Sequence, residues 1–200
     1  MGLNDPIIEI AITPNRGDCL GVRGIARDLA SAGLGSLKPL ANGPVPATFE
    51  SPVEVHLNFD ETTKTACSKF VGRYIRGVQN GESPAWLKDK LLAVGLRPIS
   101  ALVDITNLLT MDLGRPLHVF DVAKLDGHVQ ARMAKDGEKL MALNGKEYEL
   151  DADMCVIADD SKVEALGGIM GGEESGCTEE TTDVFVECAY FDPIRTATTG

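Results

Sequence analysis

The sequence has few of the features that membrane, secreted or nucleic-acid-coating proteins require. No apolar run approaches the roughly 20 residues that a membrane-spanning helix needs, and the N-terminus lacks the charged-then-apolar order of a secretory signal. Positive charge is scarce, because 19 Lys and Arg stand against 30 Asp and Glu, which gives a formal net charge of −11. A broad grip on nucleic-acid phosphates needs clustered Lys and Arg. These absences predict a soluble, cytoplasmic protein that makes at most local basic contacts with nucleic acid and none with a membrane.

Cysteine and histidine are also too few and too scattered to form a set of disulfides or a metal site. The sequence has five cysteines, an odd number, and no C-x-x-C spacing: Cys19, Cys67, Cys155, Cys177 and Cys188. This pattern favours reduced thiols over disulfides or a zinc knuckle. The three histidines show no metal-ligand spacing, and His56 reads as an exposed strand residue. No metal site is predicted.

The first part of the chain reads as half of a small domain. Residues 7–13, I-I-E-I-A-I-T, are apolar enough for a strand, and P-N-R-G-D then ends it. Asp18 is predicted to cap a helix that runs through Ala32, with Gly33 as its stop. One strand and one helix cannot bury their own apolar faces. We therefore expect the other half of this domain to lie outside these residues.

Composition predicts three parts in chain order. These are a partial domain over 1–41, a linker over 42–52 and a larger unit over 53–200, in which the chain's last helix is cut short. The stretch from Ser36 to Pro52 is rich in Gly, Pro and Ala and has three prolines between 39 and 46, which is linker composition. Two hundred residues allow one substantial core plus a small appendage.

The larger unit alternates between strand and helix patterns and predicts an α+β fold. We expect antiparallel or mixed sheets in a layered sandwich with flanking helices. The strongest hairpin signal is Asn144-Gly145, which is expected to supply the positive φ angles of a tight turn. The predicted strands cover 53–59, 70–78, 128–134, the hairpins at 138–150 and 154–166, and 184–190. The predicted helices begin at Pro84, at Ser100 and at Asp192-Pro193.

The helix from Ser100 to Gly114 carries polar residues that its apolar face does not need. Asp104, Thr106 and Asn107 stand among leucines and isoleucines, and His118 follows the stop. One interpretation is a solvated helix face followed by a core histidine. The other is a polar pocket lined by Thr106, Asn107 and His118. The residue pattern leaves both open.

Two further stretches are ambiguous in the same way. The glycine-rich run 167–176 matches neither phosphate-binding pattern, and Glu173 and Glu174 would repel a phosphate. It is either a turn or a place where backbone approaches a ligand closely. Glu187 lies in V-F-V-E-C-A-Y with apolar neighbours on both sides. Strand alternation alone favours a side chain that faces solvent over one that points into a pocket.

Five motifs follow one another along the chain. They are I-T-P-N-R-G-D-C-L-G-V-R-G-I-A-R-D-L-A at 12–30, R-P-I-S-A-L-V-D-I-T-N at 97–107, G-R-P-L-H-V-F-D at 114–121, G-I-M-G-G-E-E-S-G at 168–176 and V-E-C-A-Y-F-D-P-I-R at 186–195. In this order they resemble the β subunit of bacterial phenylalanyl-tRNA synthetase over nearly the whole chain. The resemblance implies that 53–200 is most of an editing module, made of the third and fourth domains of that subunit. Residues 3–41 resemble the later half of its split first domain.

The resemblance also implies a reaction and a site. The editing module hydrolyses tyrosine wrongly attached to the phenylalanine tRNA, without a metal or a covalent nucleophile. Glu187 would accept the tyrosine hydroxyl, and Gly171 would form part of the substrate-binding floor. His118, with Thr106 and Asn107, would position the ester and the attacking water. The resemblance places further pocket residues beyond Gly200.

The resemblance implies partners as well. An α subunit carries the aminoacylation site in an α2β2 heterotetramer, and tRNA(Phe) is the nucleic-acid partner. ATP and magnesium serve the whole synthetase, and no cofactor is expected in this chain. The alternative is a non-catalytic structural or tRNA-docking module in which the same residues only stabilise the fold.

Overall fold

The computed structural model describes residues 6–200 and divides the chain into two compact units. The first comprises Met1–Glu50 and Glu82–Leu117, and the second comprises Ser51–Gly81 and His118–Gly200. The limits predicted from composition, 1–41, 42–52 and 53–200, stay predictions, because this grouping reflects packing within the chain alone. Of the helices in residues 6–200, none is long and apolar enough to cross a membrane.

The first unit is helical. It contains a 3-10 turn at Gly17–Cys19 and three α-helices: α1 (Val22–Ser31), α2 (Ala85–Ala93) and α3 (Ala101–Leu113). The predicted strand at 7–13 is wrong. These residues pair with no strand of the described chain, and Ile7 and Ile8 are 62% and 78% exposed. An apolar run becomes a strand only when a neighbouring strand takes its backbone hydrogen bonds.

Helix starts in this unit differ from prediction by a few residues. Gly21, not Asp18, precedes α1, because the Asp18 carboxylate binds the guanidinium groups of Arg16 and Arg27. Pro84 is the residue before α2 and keeps an extended ψ of 152°. Both shifts leave the helices themselves where the periodicity predicted them.

Helix α3 has the predicted limits. Ser100 precedes it with an extended backbone, and Gly114 ends it at φ 64°, donating its N–H to the carbonyl of Thr110. Gly21 also has to be a glycine, because a Cβ there would lie 2.3 Å from the backbone nitrogen of Gly114. The close approach of α1 and α3 depends on that missing side chain.

The second unit consists of three sheets and one helix. The five-stranded sheet has β1 (Val55–Asn58), β4 (Val129–Met133), β7 (Cys155–Ala158), β8 (Val163–Leu166) and β9 (Met170–Gly171) in the order β1-β4-β7-β8-β9. Only its β1–β4 pair is parallel. The three-stranded antiparallel sheet has β2 (Cys67–Arg76), β3 (His118–Asp121) and β10 (Asp183–Phe191) in the order β2-β10-β3. The remaining elements are the hairpin of β5 (Lys139–Met141) and β6 (Glu147–Glu149), a 3-10 turn at Val122–Lys124, and α4 (Pro193–Thr199). The predicted α+β fold with mixed sheets is confirmed.

Both predicted hairpins form, with different turn chemistry. In the β5–β6 turn only Gly145 has a positive φ, 74°, whereas Asn144 accepts the N–H of Lys146 on its side-chain oxygen at 3.1 Å. The expectation of positive φ angles at both residues is therefore wrong for Asn144. In the β7–β8 turn the Asp159 carboxylate accepts the N–H groups of Ser161 and Lys162 at 2.8 and 2.7 Å.

The core of the second unit lies between its two larger sheets. Phe120 and Phe185 of the three-stranded sheet, both at most 1% exposed, pack against Val129, Ile157 and Ala165 of the five-stranded sheet. Gly72 on β2 makes room for this contact, since a Cβ there would lie 2.1 Å from the Phe185 ring. Phe120 and Phe185 thus mark the inner face of the three-stranded sheet. Residues two positions from either phenylalanine on the same strand lie on that face as well.

Candidate functional site

His118 and Glu187 are register partners on β3 and β10. Two positions along, Phe120 pairs with Phe185. Since alternate residues of a strand share a face, both members of the first pair lie on the same inner face as the two phenylalanines. Glu187 is only 7% exposed. The interpretation of Glu187 as a solvent-facing residue, drawn from period alone, is therefore wrong.

Gly171 lies against His118 from the opposite sheet. A Cβ on Gly171 would be 2.3 Å from Cε1 and 2.9 Å from Nε2 of the imidazole, so any side chain at this position would displace the ring. Gly171 belongs to β9 and His118 to β3. The structure thus brings His118, Glu187 and Gly171 together, each on a different strand, between two sheets.

The imidazole of His118 is half-buried, and its Nε2 side faces the protein interior. Its ring meets Phe120 edge to face, with 4.5 Å between ring centroids. The Nε2 atom is buried, and no group of residues 6–200 hydrogen-bonds to it. Burial lowers the pKa of His118 to about 4. The ring is therefore neutral near pH 7 and has one polar atom left for a ligand.

Two buried thiols lie in the core of the same unit. Cys67 and Cys155 belong to one apolar cluster with Ala66 and Ala131. Burial, with a contribution from the charge of Glu187, raises the pKa of Cys67 to about 11. Burial also raises the pKa of Cys155, to about 12. Both are protonated thiols near pH 7 and are poor nucleophiles.

Thr106 and Asn107 belong to the first unit, on α3. The Thr106 hydroxyl donates to the carbonyl of Val103 at 2.7 Å, and both residues are half-buried. Their neighbour Asp104 is fully buried and accepts hydrogen bonds from the Ser83 hydroxyl at 2.5 Å and the Ile99 N–H at 2.9 Å. A solvated face is the wrong interpretation for Asp104, which fastens the start of its own helix.

The glycine-rich run consists of two turns separated by strand β9 and a bridge between Gly172 and Ala142. Gly172 donates its N–H to the carbonyl of Glu164 at 2.7 Å, and the carbonyl of Ser175 accepts the N–H of Asp121 at 2.9 Å. Glu173 and Glu174 are exposed. Close approaches also occur at Gly167 and Gly172, where a Cβ would lie 2.7 Å from the Phe191 ring and from the Glu164 carbonyl, whereas Gly171 is the one against His118.

Sequence reasoning missed a second buried carboxyl group, Glu164 on β8. It is 1% exposed, and burial raises its pKa to about 7. Asp159, in the β7–β8 turn, is 2% exposed, and burial alone would raise its pKa. Backbone N–H groups that bind its carboxylate together outweigh burial and lower the pKa below its usual value. Glu164 lies in V-E-A-L between apolar residues, as Glu187 does in V-E-C-A. The sequence signal for burial is therefore present at Glu164 too, and it is equally ambiguous there.

A family model described as the B3/4 domain matches residues 66–200. The phenylalanine–tRNA ligase beta subunit of Paramagnetospirillum magneticum is 65% identical over 98% of this chain, which covers 25% of that protein. The corresponding subunit of Cereibacter sphaeroides is 61% identical over 100% of this chain, again 25% of that protein. The chain therefore spans about a quarter of the length of the curated relatives it matches.

Among solved structures, the chain is similar to an N-terminal fragment of the phenylalanyl-tRNA synthetase beta-subunit from Pyrococcus horikoshii. The TM-score is 0.55 at 19% identity, over 90% of this chain and 54% of that one. At this identity the likeness concerns the fold alone. It agrees with the α+β architecture predicted from the sequence.

Proposed function

The chain belongs to the B3/4 domain family, and from this we propose that it is a fragment of a phenylalanine–tRNA ligase beta subunit in which residues 53–200 are most of the editing module and residues 1–41 are part of the first domain. The proposed reaction is hydrolysis of tyrosine from mischarged Tyr-tRNA(Phe). The observation that carries the proposal is the pair of half-buried His118 and buried Glu187, register partners on β3 and β10, with Gly171 against the imidazole. For the whole protein we propose an α subunit as partner, ATP and magnesium as requirements of aminoacylation, and the cytoplasm as location.

A second site is needed because the first discrimination is physically weak. A hydrophobic pocket built for phenylalanine cannot strongly reject an analogue that adds one hydroxyl. A site with a buried polar acceptor can make the opposite choice. It binds the phenol and rejects phenylalanine, which would leave that acceptor without a partner.

Glu187 has the properties of such an acceptor. Its carboxylate is buried on the same inner face of β10 as Phe185. A phenol that reaches this carboxylate therefore meets a hydrogen-bond acceptor with apolar neighbours. A phenol O–H donating to a buried carboxylate is a charge-assisted hydrogen bond, stronger than one between neutral groups. We assign Glu187 the selection of tyrosine.

His118 is assigned to holding the ester or the water. With a pKa of about 4, the imidazole is a weak general base near pH 7. Its Nε2 is free of protein partners among residues 6–200 and can make one hydrogen bond to a reacting group. The water's proton would then pass to solvent or to a group of the substrate, and the carbonyl–oxygen bond to the tRNA ribose would break. Thr106 and Asn107 stay proposed contributors to ester and water positioning.

The alternative is a tRNA-docking or structural module without hydrolysis. It assigns no task to Nε2 of His118, which is buried and has no hydrogen-bond partner among residues 6–200. We therefore favour hydrolysis.

The test uses the full-length beta subunit assembled with its α subunit. Glu187→Ala should accumulate Tyr-tRNA(Phe) while Phe-tRNA synthesis stays at the parent rate. Glu149→Ala, an exposed acid on β6, is the control and should behave as the parent. Parent-like clearance of Tyr-tRNA by Glu187→Ala, together with weakened tRNA binding, would support docking instead.

A further inference from the structure

A second group of chemistry-bearing side chains lies at the edge of the five-stranded sheet. In the parallel pair, Val55 is the register partner of Val129 and His56 of Gln130, so Glu54 and His128 stand side by side one residue earlier. The carbonyl of Glu54 accepts the N–H of Val129 at 3.0 Å, which fixes this register. Because alternate strand residues share a face, His56 lies on the same face as Glu54. Two positions on one strand and one on its neighbour therefore converge.

The three side chains are already close. One possible ligand atom from each of Glu54, His56 and His128 lies within 4.8 Å of the other two. Nε2 of His56 is 3.5 Å from Oε2 of Glu54, and the two imidazole rings are 5.5 Å apart at 86°. The side chains of His56 and Glu54 are 45% and 65% exposed, so an ion can reach them from solvent.

We propose that Glu54, His56 and His128 bind a divalent transition-metal ion through two imidazole nitrogens and one carboxylate oxygen, with water completing the coordination. Imidazole and carboxylate are good ligands for Zn²⁺, at bond lengths of about 2.0–2.2 Å. Ligand atoms around one ion are then at most about 4.4 Å apart. Small rotamer changes of exposed side chains close the remaining gap.

The arrangement is partly fixed before an ion arrives. The His128 N–H donates to Oδ2 of Asp160 at 3.2 Å, which holds the backbone of His128 and adds a negative charge nearby. Nδ1 of His128 accepts the N–H of Glu54 at 3.2 Å, so in the empty site the ring proton is on Nε2. Binding through Nε2 requires that proton to move to Nδ1, and the cost is this one long hydrogen bond.

The chain has a competing cluster of possible ligands in the first unit, and it is a poorer site. Asp18, Cys19 and Asp28 also lie close together. Both carboxylates, however, bind the guanidinium groups of Arg16 and Arg27. A cation would have to displace two permanent positive charges. Among the three ligands at the sheet edge, only the two imidazoles can carry a positive charge. They are neutral when they bind a metal ion, so they do not repel it.

Sequence spacing could not reveal this site. Glu54 and His56 are two residues apart, but His128 follows 72 residues later and reaches them only through the β1–β4 register. The predicted absence of a metal site rested on spacing along the chain alone.

The experiment is a zinc titration of the 200-residue chain against a chromogenic chelator, without added reductant thiols. The parent should bind one tight Zn²⁺ at this site, and His56→Gln or His128→Gln should each weaken it about tenfold or more. Glu54→Gln tests the carboxylate. Glu54 and His56 are exposed and His128 is half-buried, and unchanged circular dichroism would report an intact fold.

Controls separate this site from other zinc ligands. Cys19→Ser removes the thiol of the competing cluster, and Glu61→Gln removes an exposed acid paired only with Lys64 among the ion pairs of the described chain. Both should bind zinc as the parent does. If the parent binds no zinc, or if the His56→Gln/His128→Gln double variant keeps the parent affinity while Cys19→Ser loses it, the proposal is wrong.

Discussion

Glu187 and His118 face each other across neighbouring antiparallel strands, on the face that their sheet turns towards the core. Burial of a polar atom costs free energy unless the atom is hydrogen-bonded. Nε2 of His118 is buried without a hydrogen-bond partner among residues 6–200, and this atom is the reason for assigning the pair to a ligand.

Gly171→Ala tests the contact between the two sheets. The added Cβ would lie 2.3 Å from Cε1 of His118, so the imidazole or β9 has to move. We expect a loss of about 1–3 kcal/mol in the free energy of unfolding and a clear loss of Tyr-tRNA hydrolysis. Chemical denaturation and a deacylation assay measure the two effects.

Gly81→Ala is the matched control for that substitution. It lies in the same unit, and nothing is within 4 Å of the position that its Cβ would occupy. It should change neither stability nor hydrolysis. An equal loss in both variants would mean that the His118 contact is not the cause.

His118 should make the protein less stable in acid. The unfolded chain takes up a proton near pH 6.5, whereas the folded imidazole resists protonation until about pH 4. Stability should therefore fall as pH decreases through this window, by up to about 3 kcal/mol. In His118→Gln that part of the acid sensitivity should vanish. Denaturation curves at several pH values measure it. If the free energy of unfolding fell with decreasing pH as steeply in His118→Gln as in the parent, the burial of the ring would be contradicted.

Over an overlapping pH range, Glu164 should affect stability in the direction opposite to His118. Burial raises its pKa from 4.5 to about 7, so between these values the folded state holds a proton that the unfolded state has lost. Its contribution to stability should decrease as pH rises from 4.5 to 7, again by up to about 3 kcal/mol. Glu164→Gln cannot ionise, and relative to the parent it should gain stability as pH rises. A gain towards low pH would refute this account.

Asp104→Ala should destabilise the first unit. The substitution leaves the buried Ser83 hydroxyl and the Ile99 N–H without their acceptor, at an expected cost of about 2–4 kcal/mol. Asp112→Ala, an exposed acid on the same helix, should cost under about 0.5 kcal/mol. Urea denaturation compares the two variants, and equal costs would show that the buried hydrogen bonds contribute little.

The parts of the fold that the sequence predicts are those with local causes. Ser100 and Gly114 set the limits of α3 through backbone preferences of their own, and Gly145 sets a turn in the same way. The strand predicted at 7–13 fails because its own residues cannot supply a partner strand. Local pattern predicts an element only where the element does not depend on a distant one.

The site depends on distant contacts, and for this reason period alone misassigned it. Glu187 has half-buried or buried neighbours on both sides, so alternation does not say which face is the core. The face is set by the pairing of Phe185 with Phe120, which lies 65 residues earlier along the chain. The contact of Gly171 with His118 has no local signal either. Motif resemblance supplied these residues; the geometry supplies a physical reason for them.

The most direct test compares hydrolysis of Tyr-tRNA(Phe) and Phe-tRNA(Phe) by the full-length synthetase in single-turnover assays, for the parent and Glu187→Gln. The amide keeps the shape of the side chain and removes its charge. We predict that the parent hydrolyses the tyrosyl ester in strong preference to the phenylalanyl ester, and that Glu187→Gln loses most of this preference through slower tyrosyl hydrolysis. An unchanged preference in Glu187→Gln would contradict the assignment of Glu187 as the group that selects tyrosine.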